Sequence, residues 1–116
     1  MRQLMAASDL VHGYLQTLAQ GRTDAADAMW RNGHRPPGLS EGGLRDILPA
    51  RVSKIRTLEP EPLDGATLRR VRVPVALRLT GQDGRLHVFD GTYTVEHPSA
   101  DAPWKLSAAE VHARLD

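Results

Sequence analysis

Up to Leu48 the apolar residues recur at helical spacing, and beyond Pro49 they alternate with polar ones. Leu4, Ala7, Leu10, Val11, Tyr14, Leu15 and Leu18 fall on one stripe of a 3.6-residue period, which predicts a long amphipathic helix facing a core. Gly21 stands where that helix should end, since glycine tolerates the left-handed cap. Gly13 weakens the helix by about 0.5–1 kcal/mol relative to alanine. It either lets something pack close or has no packing role. Thr23 or Asp24 caps a second helix from Asp24 to about Arg31, with Ala25, Ala28 and Met29 as its apolar positions. Residues 32–39 hold two prolines and two glycines and predict a loop. Ser40 caps a short third helix that buries Leu44, Ile47 and Leu48, and Pro49 ends it.

From Arg51 the period becomes two. Residues 51–58 alternate poorly, which predicts a strand that is short or at an edge. Residues 59–65 form a turn. In the next segment Val71, Val73, Val75, Leu77 and Leu79 share one face and Arg70, Arg72 and Arg78 the other, predicting a long strand with one buried and one wet side. Pro74 falls on the arginine side and lacks a ladder donor, so a bulge or an edge is expected there. Gly81-Gln82-Asp83-Gly84 is a hairpin connection. The return strand, Arg85 to about His97, carries Leu86 and Val88 on one parity but Tyr93 and Val95 on the other, which predicts a bulge at Asp90-Gly91 and a curved sheet. Residues 97–103 turn the chain into a last strand. It has Trp104 and Leu106 opposite Lys105 and Ser107 and runs on through Val111. The expected fold is α+β: a curved antiparallel four-stranded sheet with two to three N-terminal helices packed on its concave face.

Composition narrows the function classes. The 116 residues are 41% hydrophobic and 25% charged, the profile of one soluble globular domain over 1–116. Lys+Arg number 15 and Asp+Glu 14, and a net charge of +1 supplies no strong field for nucleic acid or an anionic membrane. The absence of cysteine excludes a disulfide framework, thiol catalysis and cysteine-based zinc sites. Arginine outnumbers lysine 13 to 2 amid abundant Ala, Gly and Pro, which reads as the coding bias of a GC-rich bacterium rather than as chemistry. Met1 to Leu10 carries Arg2 and Asp9 and lacks the apolar core of a signal peptide, and no apolar run approaches the roughly 20 residues of a membrane helix. The expected location is cytoplasmic for the chain as it stands, or periplasmic if a leader precedes it.

Residues 14–30 (YLQTLAQGRTDAADAMW) resemble the opening of nuclear-transport-factor-2-like domains, where a long first helix breaks at a glycine before a short Ala-rich helix. Gly91 to Glu96 (GTYTVE) and Trp104 to Val111 (WKLSAAEV) are similar to the last two strands of that cystatin-like cone. The order of elements extends the resemblance over nearly the whole chain. It implies a pocket between concave sheet and helices. The family spans steroid isomerases, SnoaL-like polyketide cyclases, epoxide hydrolases, dehydratases, association domains and envelope secretion domains, and fold alone does not choose among them.

The residues can be tested against each chemistry. An isomerase needs a carboxylate base in an apolar pocket and a Tyr or protonated acid at the enolate oxygen. Tyr14 fits the second role, but the face of Val71 to Leu79 carries no acid, and the strand acids Asp90 and Glu96 lie at a presumed bulge and a strand end. Epoxide hydrolysis needs an Asp-Arg-Asp set, and Arg72 and Arg78 should point outward, away from any pocket. A dehydratase needs a His–Asp pair, yet His12, His34, His87, His97 and His112 share no relay or metal-ligand spacing. Arg69, Arg70 and Arg72 form one basic cluster and Arg51, Lys54 and Arg56 another. With so few aromatics between them they suit weak acidic partners or pairing with Glu59, Glu61 and Glu96 better than nucleic acid.

The reading that follows is a non-catalytic binding or association domain of a bacterial protein. It would work through protein–protein contacts or a small apolar pocket, with a homodimer through the outer sheet face as one mode. The alternatives are a SnoaL-like small-molecule enzyme and a periplasmic envelope or secretion-associated domain. The candidate pocket residues are Tyr14, Trp30, His34, Phe89, Tyr93 and Trp104. No catalytic residue, cofactor, metal, nucleic acid or membrane insertion is expected. An open cavity of about 300 Å³ holding a buried Asp, Glu or His would favour the enzyme, and a closed apolar interior would remove it.

Overall fold

A computed structural model describes residues 2–36, 39, 41–63, 69–99 and 102–114. Helix α1 (Arg2–Ala19) realises the N-terminal stripe: Ala7, Val11, Tyr14, Leu15 and Leu18 are buried, and Gly21 ends it as expected. Nothing lies within 4 Å of the space a Cβ would fill at Gly13, so that glycine permits no close contact. Helix α2 is shorter than expected, Thr23–Asp27, with Arg22 rather than Thr23 or Asp24 at its cap. The chain leaves the helix because Trp30 adopts an extended backbone and bridges to Leu106, while Met29 O accepts a hydrogen bond from Leu106 N at 3.0 Å. Burial of the indole and this sheet contact outweigh the helical preference of an Ala-rich segment. The third helix is only a 3₁₀ turn, Leu44–Ile47; its expected cap, Ser40, lies outside the described residues.

The strands are β1 (Arg51–Thr57), β2 (Glu61–Pro62), β3 (Arg70–Thr80), β4 (Leu86–Glu96) and β5 (Lys105–Arg114). They form one antiparallel sheet in the order β1-β3-β4-β5, with β2 also paired to β3. β1 is the expected edge strand. β2 lies within the segment read as a turn. Val71, Val73, Val75, Leu77 and Leu79 are all buried, and α1 packs over β1, β3 and β4 on that face. The fold class is thus α+β as expected, with the sheet curved and open rather than closed into a barrel.

Pro74 is locally at an edge, one of the two situations expected for it, whereas the bulge expected in β4 is placed differently. Pro74 sits in a continuous β3–β4 register opposite Thr92, with no bulge. Its carbonyl accepts from Leu58 N at 2.8 Å, on the flank where β1 has ended and β2 has not begun, so no neighbouring carbonyl waits for the donor proline lacks. The bulge expected at Asp90-Gly91 is on β5 instead. Thr94 pairs with Ala108 and Val95 with Leu106, leaving Ser107 as the extra residue. No parity switch is needed in β4, because Phe89, Tyr93 and Val95 face inward throughout and Leu86 and Val88 face out. Gly91 lies on the inner side of that strand with φ +158, and a Cβ there would stand 2.0 Å from Glu110 O. Glycine lets β5 close onto β4 at this point.

Candidate functional site

The interior is not wholly apolar. Gly42 packs against β5 so closely that a Cβ would lie 2.7 Å from Val111 O, and its φ of +67 suits glycine. This docking carries the preceding Glu41 side chain into the core, where only 1% of it is exposed. There it meets Tyr14 from α1 and Tyr93 from β4. The Tyr14 hydroxyl donates to Glu41 Oε2 at 2.9 Å, and the Tyr93 hydroxyl donates to the same oxygen in a very short contact. Arg45 Nε and Arg35 Nη1 donate to Glu41 Oε1 at 2.9 and 3.2 Å. Arg45 Nη2 also reaches Asp27 Oδ1 at 2.6 Å and the Tyr14 oxygen at 3.1 Å. Two carboxylates and two guanidinium groups therefore balance in charge, and both oxygens of Glu41 are occupied by donors.

Burial and then the Glu41 charge push the Tyr14 pKa far above its ordinary value of 10.0, against a smaller pull from the nearby Trp30 indole and Arg45. The same two causes, burial first, raise Tyr93. Burial works against the charge of Arg45, but its hydrogen bonds to Asp27 and Glu41 outweigh that and hold its pKa above the ordinary value. The rings of Tyr14, Trp30 and Tyr93 pack edge-on or tilted, with centroids 5.5–6.5 Å apart. Trp30 Nε1 approaches Tyr14 without reaching hydrogen-bond geometry, so Trp30 contributes packing.

Of the six expected pocket residues, Tyr14, Trp30 and Tyr93 come together as this core, fully buried against one another rather than around a ligand space. Phe89 is core further along β4. Trp104 stacks on His97 with centroids 3.9 Å apart, away from the other rings. His34 is exposed. Trp30, one of the candidate pocket residues, is the largest fully buried side chain, because the chain turns inward to bridge β5. Glu41, Arg45, Arg35 and Asp27 were not picked out from the sequence. The available signal was a pair of tyrosines on inward parities, since a buried hydroxyl needs an acceptor.

Two spaces adjoin these groups. A cavity of about 200 Å³ touches Arg35, Glu41, Leu44 and Arg45. A larger cleft of about 600 Å³ lies on the outer side of the sheet, where the loop after Trp30 has passed around the β5 edge. Arg31, Asn32 and His34 form one wall, and Arg70, Arg72 and Ser107 the other. Arg31 is paired with Glu96, and Arg72 with Glu61 at 3.6 Å. Of the two basic clusters, Arg72 is thus paired with Glu61, one of the three glutamates expected to do so. Among the described residues no group of three potential ligands converges on a metal position, and no helix is long and apolar enough to cross a membrane. The chain matches no protein-family model, no curated protein and no solved structure.

Proposed function

We propose that the chain is a nuclear-transport-factor-2-like domain that binds without catalysing, and that it binds at the cleft between the Arg31–His34 loop and the outer sheet face. The observation that carries this reading is the saturation of Glu41. It is the one buried carboxylate among the described residues, and donors occupy both of its oxygens, so no lone pair is left to take a substrate proton. The cavity beside it is also smaller than the roughly 300–1,000 Å³ of small-molecule sites, whereas the outer cleft falls within that range. The cleft is more polar than the small apolar pocket anticipated.

One observation favours the enzyme alternative: a carboxylate held between two tyrosine hydroxyls beside a cavity, however small. An amide-resolved NMR titration separates the two, using small carboxylates, phosphates and apolar compounds on the wild type and on Glu41→Gln. Shifts at residues 31–34 and 106–108 that survive the substitution support binding. Turnover of any compound that Glu41→Gln abolishes, in a protein still folded, overturns it. A homodimer through the outer face would press Lys54, Arg56 and Arg78 towards their own copies, and charges are depleted in interface centres. The proposed domain therefore uses that face to meet a different, acidic partner.

A further inference from the structure

The β1–β3 register sets Lys54 directly opposite Arg78, and Arg56 opposite Ala76. Arg78 lies between the buried Leu77 and Leu79 and so points out of the sheet. Next across the sheet come Val88, opposite Arg78, and Arg114, opposite Val88. One lateral row therefore reads Lys54, Arg78, Val88, Arg114, with Arg56 two residues along β1. Together with Ala76 these side chains line a shallow space of about 310 Å³ at the far end of the outer face from the cleft.

The charge here is unbalanced. Arg31, Arg35, Arg45 and Arg72 each have a carboxylate partner, and Arg114 has Asp90 at 3.4 Å. Lys54, Arg56 and Arg78 have no ion-pair or hydrogen-bond partner among the described residues. Like charges set directly opposite each other in a sheet are destabilising, so this arrangement works against the fold unless something neutralises it. In a chain with a net charge of only +1, three cations without partners among the described residues stand side by side here.

We propose that Lys54, Arg56, Arg78 and Arg114 form a binding site for a small ligand bearing two or three linked phosphates. Adjacent strands are about 5 Å apart and alternate residues about 7 Å, so Lys54, Arg56 and Arg78 surround one phosphate. Arg114 stands two strands from Arg78, about 10 Å across Val88, within reach of a second. Guanidinium forks match phosphate oxygens in pairs, and a single carboxylate would leave most of the charge unmet. Single-stranded nucleic acid fits less well, because it stacks bases on aromatic platforms. Tyr14, Trp30, Phe89 and Tyr93 are buried and Trp104 is stacked on His97, so none lines this row.

The test is calorimetric titration of the full chain with orthophosphate, tripolyphosphate, a nucleoside triphosphate and a single-stranded oligonucleotide. Tripolyphosphate is expected to bind at least tenfold more tightly than orthophosphate. Equal affinity for the nucleoside triphosphate assigns recognition to the phosphates alone, and higher affinity adds a nucleoside contact; both agree with the site. Arg78→Ala should weaken tripolyphosphate binding at least tenfold, while Arg22→Ala, exposed and outside both the row and the cleft, leaves it within twofold. Lys54→Glu should abolish binding and yet raise the urea midpoint, because it turns a repulsive cross-strand pair into an attractive one. The proposal is overturned by no tripolyphosphate binding, by equal loss in Arg22→Ala, or by tighter binding of the oligonucleotide. It fails independently of the cleft reading, whose amide shifts lie elsewhere.

Discussion

At the scale of single residues, the chain's character turns on Glu41. A buried carboxylate with two guanidinium and two phenol partners is stable as a set and vulnerable in parts. Glu41→Gln removes the charge that holds Arg45 and Arg35 and should cost about 3–5 kcal/mol, read from urea unfolding. Tyr14 and Tyr93 are the only tyrosines, so phenolate absorbance reads this site directly. Both carry folded pKa values raised above the ordinary value of 10.0. Between about pH 10 and those folded values the unfolded chain has lost its phenolic protons and the folded one keeps them. The tyrosines' stabilisation is therefore complete below about pH 10 and falls as pH rises beyond it. The expected alkaline titration shows no phenolate near pH 10 in the folded protein, then a jump in absorbance that coincides with unfolding.

At the scale of elements, two glycines separate conformational need from mere presence. Gly13 lies in α1 with open space beside it, so Gly13→Ala should stabilise the protein by about 0.5–1 kcal/mol. Gly91 lies against the β5 backbone, so Gly91→Ala must push the strands apart and should cost about 1–3 kcal/mol or more, with amide exchange quickening in β5 before β3. Chemical denaturation and hydrogen exchange check both. The elements themselves were legible to different degrees. α1, β3 and the Gly81–Gly84 hairpin follow from periodicity and turn residues, because each is long or chemically distinctive enough to decide its own conformation. The second and third helices were overstated: short Ala-rich or Gly-flanked segments carry little helical stability of their own, and contacts at Trp30 and Gly42 settle their paths. The bulge was expected on the wrong strand because Leu86 and Val88 are apolar residues on the outward face, and parity alone cannot tell such a pair from buried ones.

At the scale of the whole molecule, the buried residues form one cluster running from Ala7 to Val111, with Trp30 at full burial within it. Thermal or urea unfolding should therefore be a single transition in which Trp30 fluorescence, read in Trp104→Phe, and far-ultraviolet circular dichroism coincide. Separate midpoints would mean that α1 and the sheet lose structure independently. The two faces of the sheet divide the labour. The inner face is committed to α1 and the Glu41 network, and the outer face holds the arginine-lined cleft at one end and the Lys54–Arg78 row at the other.

By itself the sequence determined the class of fold, the long helix, the strand with one apolar face and the outward direction of its arginines. These follow from local periodicity, which needs no knowledge of neighbours. Only the tertiary structure decided which charges meet. Strand register put Lys54 against Arg78, and the docking of Gly42 on β5 brought Glu41 to two tyrosines distant in the chain. Such partnerships arise from long-range packing, and no spacing along the chain encodes them.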